Sequence, residues 1–532
     1  MLVPGGLDDQ TILLSWGYIS NSLFSISSAD LGGFYVYKAL FDHLLNPFNS
    51  NQPLSTLILS GGLSVFGPYF FIFACLLSVV ATFFIARLLF RNYRYSYAWA
   101  LMFTFSSYMW SHLWKHIDLL QLWIFPLFFL VLKRFFTNSS VKNAVILGAF
   151  LAAAALISNY AGFITFIYFF IACAVIVIYE LLRDRKINFL VIKRGLLTAL
   201  IFIALSFAFL LPYIKANFLG YQQVGRTVSR TYEDFFTFSS RPWYFFIPPV
   251  KNPLFGNFPT MVLESIKQTD YFLADDYFAN EHSGNYFGLF FLITSVALIA
   301  WSYRYSDETR KKIVVYMLCS AVLFSFLMPP FFTINDVRIF TPGYVIYKFF
   351  PMFRVTSRLS IILLLNQLVL TAYIINVNFQ KIRDRFKYLN LFMVFLTAVT
   401  LIETFIPFSI EIKETPPEVY SYLNKNTPKN TVFAVYPNNA TLDALYWIYI
   451  HQRNLINPKY FANEELSAKE FTENLNTVPG LDKLIQLEGE YLIVFKNASD
   501  EDKMFFENNS KLSLIKEFEE SYLFKSGTNP NK

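Results

Sequence analysis

Charged residues are scarce in this sequence, and their scarcity excludes most soluble folds. Only 15% of the 532 residues are Asp, Glu, Lys or Arg, whereas a soluble domain carries about 25%. Hydrophobic residues make up 55% of the chain, with 62 Phe and 33 Tyr, and they fall in long runs. This composition predicts an integral membrane protein.

Cysteine and the common nucleotide-binding motifs are rare or missing. Cys75, Cys173 and Cys319 lie inside apolar runs. They lack the spacing of a metal site or a disulfide framework, so we interpret them as small core residues. The sequence contains no GxxxxGK(S/T), GxGxxG, CxxC or GxSxG motif, which argues against ATP or nucleotide-sugar binding in a soluble domain. The first ten residues are neither basic nor apolar enough for a signal peptide.

The apolar runs predict the fold class, an all-α polytopic membrane bundle of about ten spans, because each span needs roughly 20 apolar residues. The predicted spans are 67–90, 96–112, 118–135, 142–158, 161–181, 192–213, 285–303, 312–330, 357–378 and 388–408. The Gly-broken stretch 53–67 is better interpreted as an interfacial or re-entrant helix.

Lys and Arg are concentrated in alternate loops, which predicts the orientation. The basic loops are 87–94, 133–142, 183–194, 304–312 and 381–387. Basic loops remain cytoplasmic, so the prediction is a plasma-membrane protein with residues 1–66, 214–284, 331–356 and 409–532 outside. This topology also explains the net charge of +7 without a nucleic-acid partner.

The two ends of the chain are predicted to differ from the bundle, 67–408. An exterior segment 1–66 with interfacial helices is hard to translocate unless a span precedes it, so we expect an upstream apolar helix in a longer reading frame. Residues 409–532 are richer in Asn, Lys and Glu and predict a soluble α/β domain. Thr415 is the expected cap of its first helix, 431–437 and 490–495 are expected buried strands, and 512–526 is an expected hairpin.

Adjacent carboxylates, Asp8 and Asp9, open the exterior segment. Such a pair can bind a divalent cation or act as a general base. The segment also resembles a helix start, where Asp is favoured as a cap and by the helix dipole. Both interpretations stay open from the residues alone.

Polar residues near the outer ends of two predicted spans are further candidates for substrate contact. His112 and His116 have helical i, i+4 spacing, and Asp118 follows. The alternative is an interfacial belt, because three tryptophans and a lysine surround them. Glu281 and His282 stand in an acidic exterior loop, whose charges can equally be simply solvated.

Arg354 and Arg358 are spaced i, i+4 at the entry to a predicted span. Their guanidinium forks suit a phosphate or pyrophosphate. The alternative is that both side chains reach toward lipid headgroups.

The order of these segments resembles a known family. "LLNPFNSNQPLSTLILSGGLSVFGPY", "FSSYMWSHLWKHIDLLQLWIFPL", "NYFGLFFL" and "FFPMFRVTSRL" are followed by the α/β tail. This arrangement is similar to prokaryotic membrane glycosyltransferases of the C fold, in a poorly characterised branch with an FRVP-R-type motif. Here Thr356 replaces the Pro.

The resemblance implies a polyprenyl-phosphate-linked sugar as donor and transfer on the outer face to a glycan, lipid or protein acceptor. It implies that Asp8 or Asp9 is the catalytic base or metal ligand, with Mg²⁺ or Mn²⁺ as the candidate cofactor. Arg354 and Arg358 would hold the leaving phosphate, and His116, Asp118, Glu281 and His282 would contact the sugar or acceptor. The family has a span before this Asp, and the present sequence shows none.

Two other functions remain alternatives. A transporter or flippase for a lipid-linked glycan would have polar residues deep in its spans and related halves, and the sequence indicates neither. A non-catalytic protein of cell-envelope assembly would use its exterior tail to bind a partner or glycan.

Overall fold

The computed structural model describes residues 2–3, 68–113, 116, 118–185, 189–218, 232–267, 282–305, 308–334, 337–350, 353–407, 411–412, 416–428, 431–437, 440–441, 444, 447–457 and 473–527. Asp8, Asp9, Glu281 and Thr415 lie outside the described residues, as does the predicted interfacial helix 53–67.

Helices dominate the described part of the chain up to residue 407. In chain order they are α1 (Pro68–Leu89), α2 (Ser96–Thr104), α3 (Ser107–His112), α4 (Ile124–Thr137), α5 (Val141–Ile157), α6 (Asn159–Asp184), α7 (Phe189–Phe218), α8 (Tyr232–Phe238), α9 (Phe258–Lys267), α10 (Leu289–Tyr305), α11 (Glu308–Ser325), α12 (Pro342–Phe349), α13 (Ser360–Val377), α14 (Phe379–Arg385) and α15 (Leu389–Thr404). Single 3₁₀ turns occupy Pro242–Phe245, Ser283–Asn285 and Thr356–Leu359. A small hairpin joins β2 (Phe331–Ile334) to β3 (Val337–Phe340).

Among the described residues, five segments are long and apolar enough to cross a membrane. They are Phe71–Leu89, Asn159–Arg183, Phe189–Phe207, Ser283–Arg304 and Thr356–Val377. The bent pair α14–α15, with 98° between its helices, makes a sixth if it forms one span, and α5 is apolar but shorter. The structure therefore supports a helical membrane protein. Judged by length and composition, the described helices account for five or six spans rather than the predicted ten.

Two predicted spans have different boundaries in the structure. The span 96–112 is interrupted after α2, because Ser106 is extended (φ −67°, ψ 161°). The carbonyl of Phe105 accepts instead from Trp110 Nε1 at 3.1 Å and Thr404 Oγ1 at 3.2 Å. The span 118–135 becomes helical only at Ile124, so Asp118 lies in a turn before α4.

The basic loops meet at one end of the bundle. Lys133 Nζ lies 5.9 Å from the centroid of the Tyr93 ring. The Arg94 guanidinium carbon lies 3.9 Å from the centroid of the Phe379 ring. Arg183 and Glu308 form an ion pair of 2.7 Å between α6 and α11. These contacts join loop 87–94 to loop 133–142 and to α14, and loop 183–194 to loop 304–312.

Helix α13 lies at the centre of the bundle. In the most apolar part of its segment, Thr356–Val377, 78% of the residues are buried. Its polar side chains are bonded to neighbouring helices: Tyr168 donates to Asn366 Oδ1, and Asn366 Nδ2 donates to Met317 O at 3.2 Å. Inter-helix hydrogen bonds of this kind hold membrane helices together. They give these buried residues a structural role.

The C-terminal part folds as an α/β unit with its own core. Its elements are β4 (Glu411–Ile412), α16 (Glu418–Asn426), β5 (Val432–Tyr436), α17 (Ile448–His451), β6 (Asn454–Leu455), α18 (Val478–Gln486), β7 (Tyr491–Phe495), α19 (Asp500–Asn508), β8 (Leu512–Glu517) and β9 (Ser521–Ser526). The described strands form a five-stranded sheet in the order β6-β5-β7-β9-β8, and a separate pair joins β4 to β1 (Leu2–Val3).

The predicted strands and hairpin of this unit are confirmed. β5 and β7 are parallel, and β8 and β9 pair antiparallel. Each central strand buries apolar side chains on both faces of the sheet, which explains their continuous apolar runs.

Candidate functional site

The candidate site lies at the end of the bundle opposite the basic loops, around α3. His112, in the last turn of α3, is 2% exposed. Its Nδ1 is 2.7 Å from Tyr108 O, one turn earlier. A carbonyl only accepts, so Nδ1 carries the proton and donates. The imidazole ring packs 4.2 Å from the Tyr108 ring, and α3 thus fixes its orientation.

The 3₁₀ turn Ser283–Asn285 packs directly against α3. A Cβ on Gly284 would come within 2.8 Å of Ser111 Oγ, so only glycine fits without movement. Ser360, at the start of α13, donates to Gly284 O at 3.4 Å, and Ser240 donates to Asn285 Oδ1 at 3.0 Å. This anchored turn places His282, 3% exposed, beside the same helix.

Asp118 and Arg358 come together with His112. Burial raises the pKa of the Asp118 carboxyl, whereas nearby Arg358 and His112 act to lower it. The Arg358 guanidinium carbon lies 4.6 Å from the Tyr160 ring centroid, and the His116 and His112 rings are 6.2 Å apart. The structure therefore gathers the predicted contacts His116, Asp118 and Arg358, with His282 beside the same helix.

Arg354 does not share a helix face with Arg358. The chain enters α13 through the 3₁₀ turn Thr356–Leu359, and Thr356 Oγ1 donates to Met328 O at 2.6 Å. The helix begins only at Ser360, so the i, i+4 spacing is not helical here. The Arg354 guanidinium carbon instead lies 5.7 Å from the Phe238 ring centroid.

Ser357, between the two arginines, adds a polar group that sequence reasoning missed. It is 2% exposed, and its hydroxyl has no hydrogen-bond partner among the described residues. A buried hydroxyl without a partner carries an energetic cost of about 1–3 kcal/mol. A ligand oxygen at this position would relieve that cost.

Arg241 was also missed, and it organises the loop beside the 3₁₀ turn Ser283–Asn285. The side chain is 1% exposed, and Nη1 donates to Phe236 O at 2.7 Å and Ser239 O at 2.6 Å. Burial raises the pKa of neighbouring Tyr244, and Arg241 opposes that shift. A lone Arg in a loop gives no periodic signal in the sequence. The one available indication is Pro242, because a proline favours an extended backbone at the residue before it, here Arg241.

The metal prediction falls outside the described residues, because Asp8 and Asp9 do. Within the described part of the chain, no group of three His, Cys, Asp or Glu side chains gathers as a metal site.

Comparison with known proteins adds no identification. No protein-family model matches the chain, and no curated protein matches it.

Proposed function

We propose that this chain is a membrane glycosyltransferase that moves a sugar from a polyprenyl-phosphate donor to a glycan, lipid or protein acceptor. The observation that carries the proposal is the convergence of Asp118, Arg358 and His112 at the bundle end opposite the basic loops. A guanidinium beside a half-buried carboxyl suits a donor with a phosphate and sugar hydroxyls. The C-fold resemblance supplies the reaction class.

The proposal includes the orientation. The chain would cross the plasma membrane about ten times, with the shorter and broken helices counted as spans. The positive-inside rule would place the candidate site and the C-terminal α/β unit on the outer face. A polyprenyl chain would lie along the apolar surface of the bundle, with its phosphate at the level of Arg358.

The mechanism is displacement at the anomeric carbon. The acceptor oxygen forms the new bond, and the bond from the sugar to the phosphate oxygen breaks with its electron pair left on the phosphate. Arg354 and Arg358 stabilise that growing negative charge, and the Ser357 hydroxyl donates to it. The C-fold resemblance assigns the acceptor proton to Asp8 or Asp9.

The other predicted residues orient the substrates in this mechanism. Asp118 accepts from sugar hydroxyls, while His116, His282 and Glu281 position the sugar or the acceptor. Mg²⁺ or Mn²⁺ held by Asp8 and Asp9 would supply positive charge near the reacting oxygens.

The test is turnover of radiolabelled polyprenyl-phosphate sugars by purified protein in nanodiscs. Wild type should release label from the lipid by transfer or slow hydrolysis. Asp8→Ala/Asp9→Ala and Asp118→Asn should each lower the rate at least tenfold. Asp384→Asn, an exposed carboxylate at the opposite end, should leave the rate unchanged. Equal rates in all three variants would contradict the site, and no turnover with any donor by folded protein would favour a carrier or an assembly protein.

A further inference from the structure

A second site lies at the opposite end of the bundle, at the corner between α4 and α5. The structure has a cavity of about 380 Å³ there. Its described lining includes three cations and no carboxylate: Leu130, Lys133, Arg134, Thr137, Asn138, Ser140, Lys142 and Asn143. The candidate functional site uses none of these residues.

The carbonyl end of α4 is already capped by neutral side chains. Thr137 Oγ1 donates to Lys133 O at 2.8 Å, and Ser139 Oγ donates to Phe135 O at 3.1 Å. Asn143 Nδ2 reaches back from α5 and donates to Asn138 O at 2.7 Å. The negative end of the helix therefore does not need the nearby basic side chains for its hydrogen bonds.

The first turn of α5 adds positive potential. Ser140 caps the helix by accepting from Asn143 N at 3.3 Å, and the first turn contains Lys142 and no acidic residue. The N-terminus of a helix is the positive end of its dipole and favours negative charge. The positive charge of Lys142 is therefore unfavourable in the first turn of α5. An anion in the cavity would remove that repulsion.

The three cations are also available to a ligand. Lys133, Arg134 and Lys142 are exposed, and none of them forms an ion pair with a carboxylate of the described chain. Two ammonium groups and one guanidinium fork match the oxygens of a phosphate.

We propose that this corner binds the phosphate of an anionic lipid headgroup. A free phosphate has the same chemistry, but the surroundings favour the lipid. Val141 and Val145, one turn apart on α5, are 50% and 42% exposed and offer an apolar surface for acyl chains beside the cations. Basic pockets at membrane helix ends recognise acidic headgroups in this way.

The test compares lipid retention by native mass spectrometry. Protein is equilibrated in nanodiscs of equal phosphatidylglycerol and phosphatidylcholine and then released into detergent. Wild type should retain phosphatidylglycerol selectively. Lys133→Gln/Arg134→Gln/Lys142→Gln should retain about tenfold less, since it removes the three cations that line the cavity and would hold the headgroup. The matched control Lys381→Gln/Arg383→Gln/Arg385→Gln removes the same charge from exposed positions on α14 and should behave as wild type.

Three results would overturn the proposal. They are undiminished retention by the cavity variant, equal loss in the control, and displacement of the lipid by millimolar inorganic phosphate, which would assign the cavity to a soluble anion. If the triple variant does not fold, Arg134→Lys keeps the charge but removes the fork. A clear loss of retention in that variant supports the site, and unchanged retention counts against it.

Discussion

Arg358 is the residue on which the proposed donor contact depends most. Its guanidinium lies over the Tyr160 ring and close enough to Asp118 to oppose the rise that burial causes in the pKa of that carboxyl. In the proposed site, this guanidinium would donate to the phosphate of the donor.

Arg358→Lys should weaken donor use although the charge is kept. A lysine loses both the planar fork and the stacking on Tyr160, so we expect kcat/KM for the polyprenyl-phosphate sugar to fall about 10- to 100-fold, with the larger part in KM. Arg383→Lys, exposed on α14, is the control. Similar kinetics for the two variants would remove Arg358 from the donor site.

His451 makes the stability of the C-terminal unit depend on pH. Burial lowers the pKa of His451 to about 4 from the usual 6.5. Nδ1 accepts from Arg453 N at 3.0 Å, and Nε2 is 2.9 Å from Ala444 O. The neutral tautomer with its proton on Nε2 satisfies both bonds, and a second proton on Nδ1 would break the first.

The stability from neutral His451 should be fully present above pH 6.5 and fade as the pH falls toward 4. In this pH range the unfolded chain binds a proton at His451 and the folded chain does not. The free energy of unfolding therefore falls by about 3 kcal/mol between pH 6.5 and pH 4. Hydrogen exchange of β5 and β6 against pH measures it. His451→Gln should flatten the profile over this window, and an unchanged slope in that variant would assign the effect to other groups.

At the scale of elements, caps decide where the helices of the bundle end. Asn252 is 1% exposed and reaches the carbonyl end of α15. Its Nδ2 is 2.8 Å from Ile402 O, 2.9 Å from Glu403 O and 2.8 Å from Phe405 O. One loop amide thereby satisfies carbonyls that the last turn of a helix leaves without partners.

Asn252→Asp should destabilise this junction strongly for so small a change. A carboxylate cannot donate to the carbonyls and would face their partial negative charge, at an expected cost of about 3 kcal/mol. Thermal unfolding in detergent measures the loss. Asn257→Asp makes the same change at an exposed position of the same loop and should be nearly neutral. If Asn252→Asp melted at the same temperature as the wild type, the cap would contribute little to stability.

The elements that the sequence predicted well are those with a pattern. β5 and β7 are apolar on every residue because both sheet faces are covered. The break after α2 was not predicted, because Phe105 and Ser106 are not strong helix breakers. The freed carbonyl of Phe105 accepts hydrogen bonds from Trp110 and from Thr404, which is about three hundred residues later in the chain.

In the candidate site, too, the residues that belong to a sequence pattern were predicted and those outside one were not. Arg358, Asp118 and His116 could be found as polar residues at the ends of apolar runs. Arg241 and Ser357, like Asn252 at the end of α15, lie in irregular backbone, where hydrogen bonds to carbonyls or burial leave no periodic trace in the sequence.

For the whole molecule, orientation is the property that the proposed function requires. In a variant whose Cys75, Cys173 and Cys319 are replaced by serine, we expect Glu519→Cys, exposed in the turn between β8 and β9, to react with a membrane-impermeant maleimide on intact cells. Asp384→Cys at the basic end should react only after permeabilisation. The reverse pattern would place the candidate site in the cytoplasm.

The sheet order of the C-terminal unit has a consequence for biosynthesis. β9 lies between β7 and β8 although it follows both in the chain. A nascent or prematurely terminated chain that ends before residue 521 would leave both neighbours with unpaired edges, which invite aggregation. Only synthesis of β9, the last strand of this sheet, therefore closes both edges, and a copy that lacks it would keep two open strand edges.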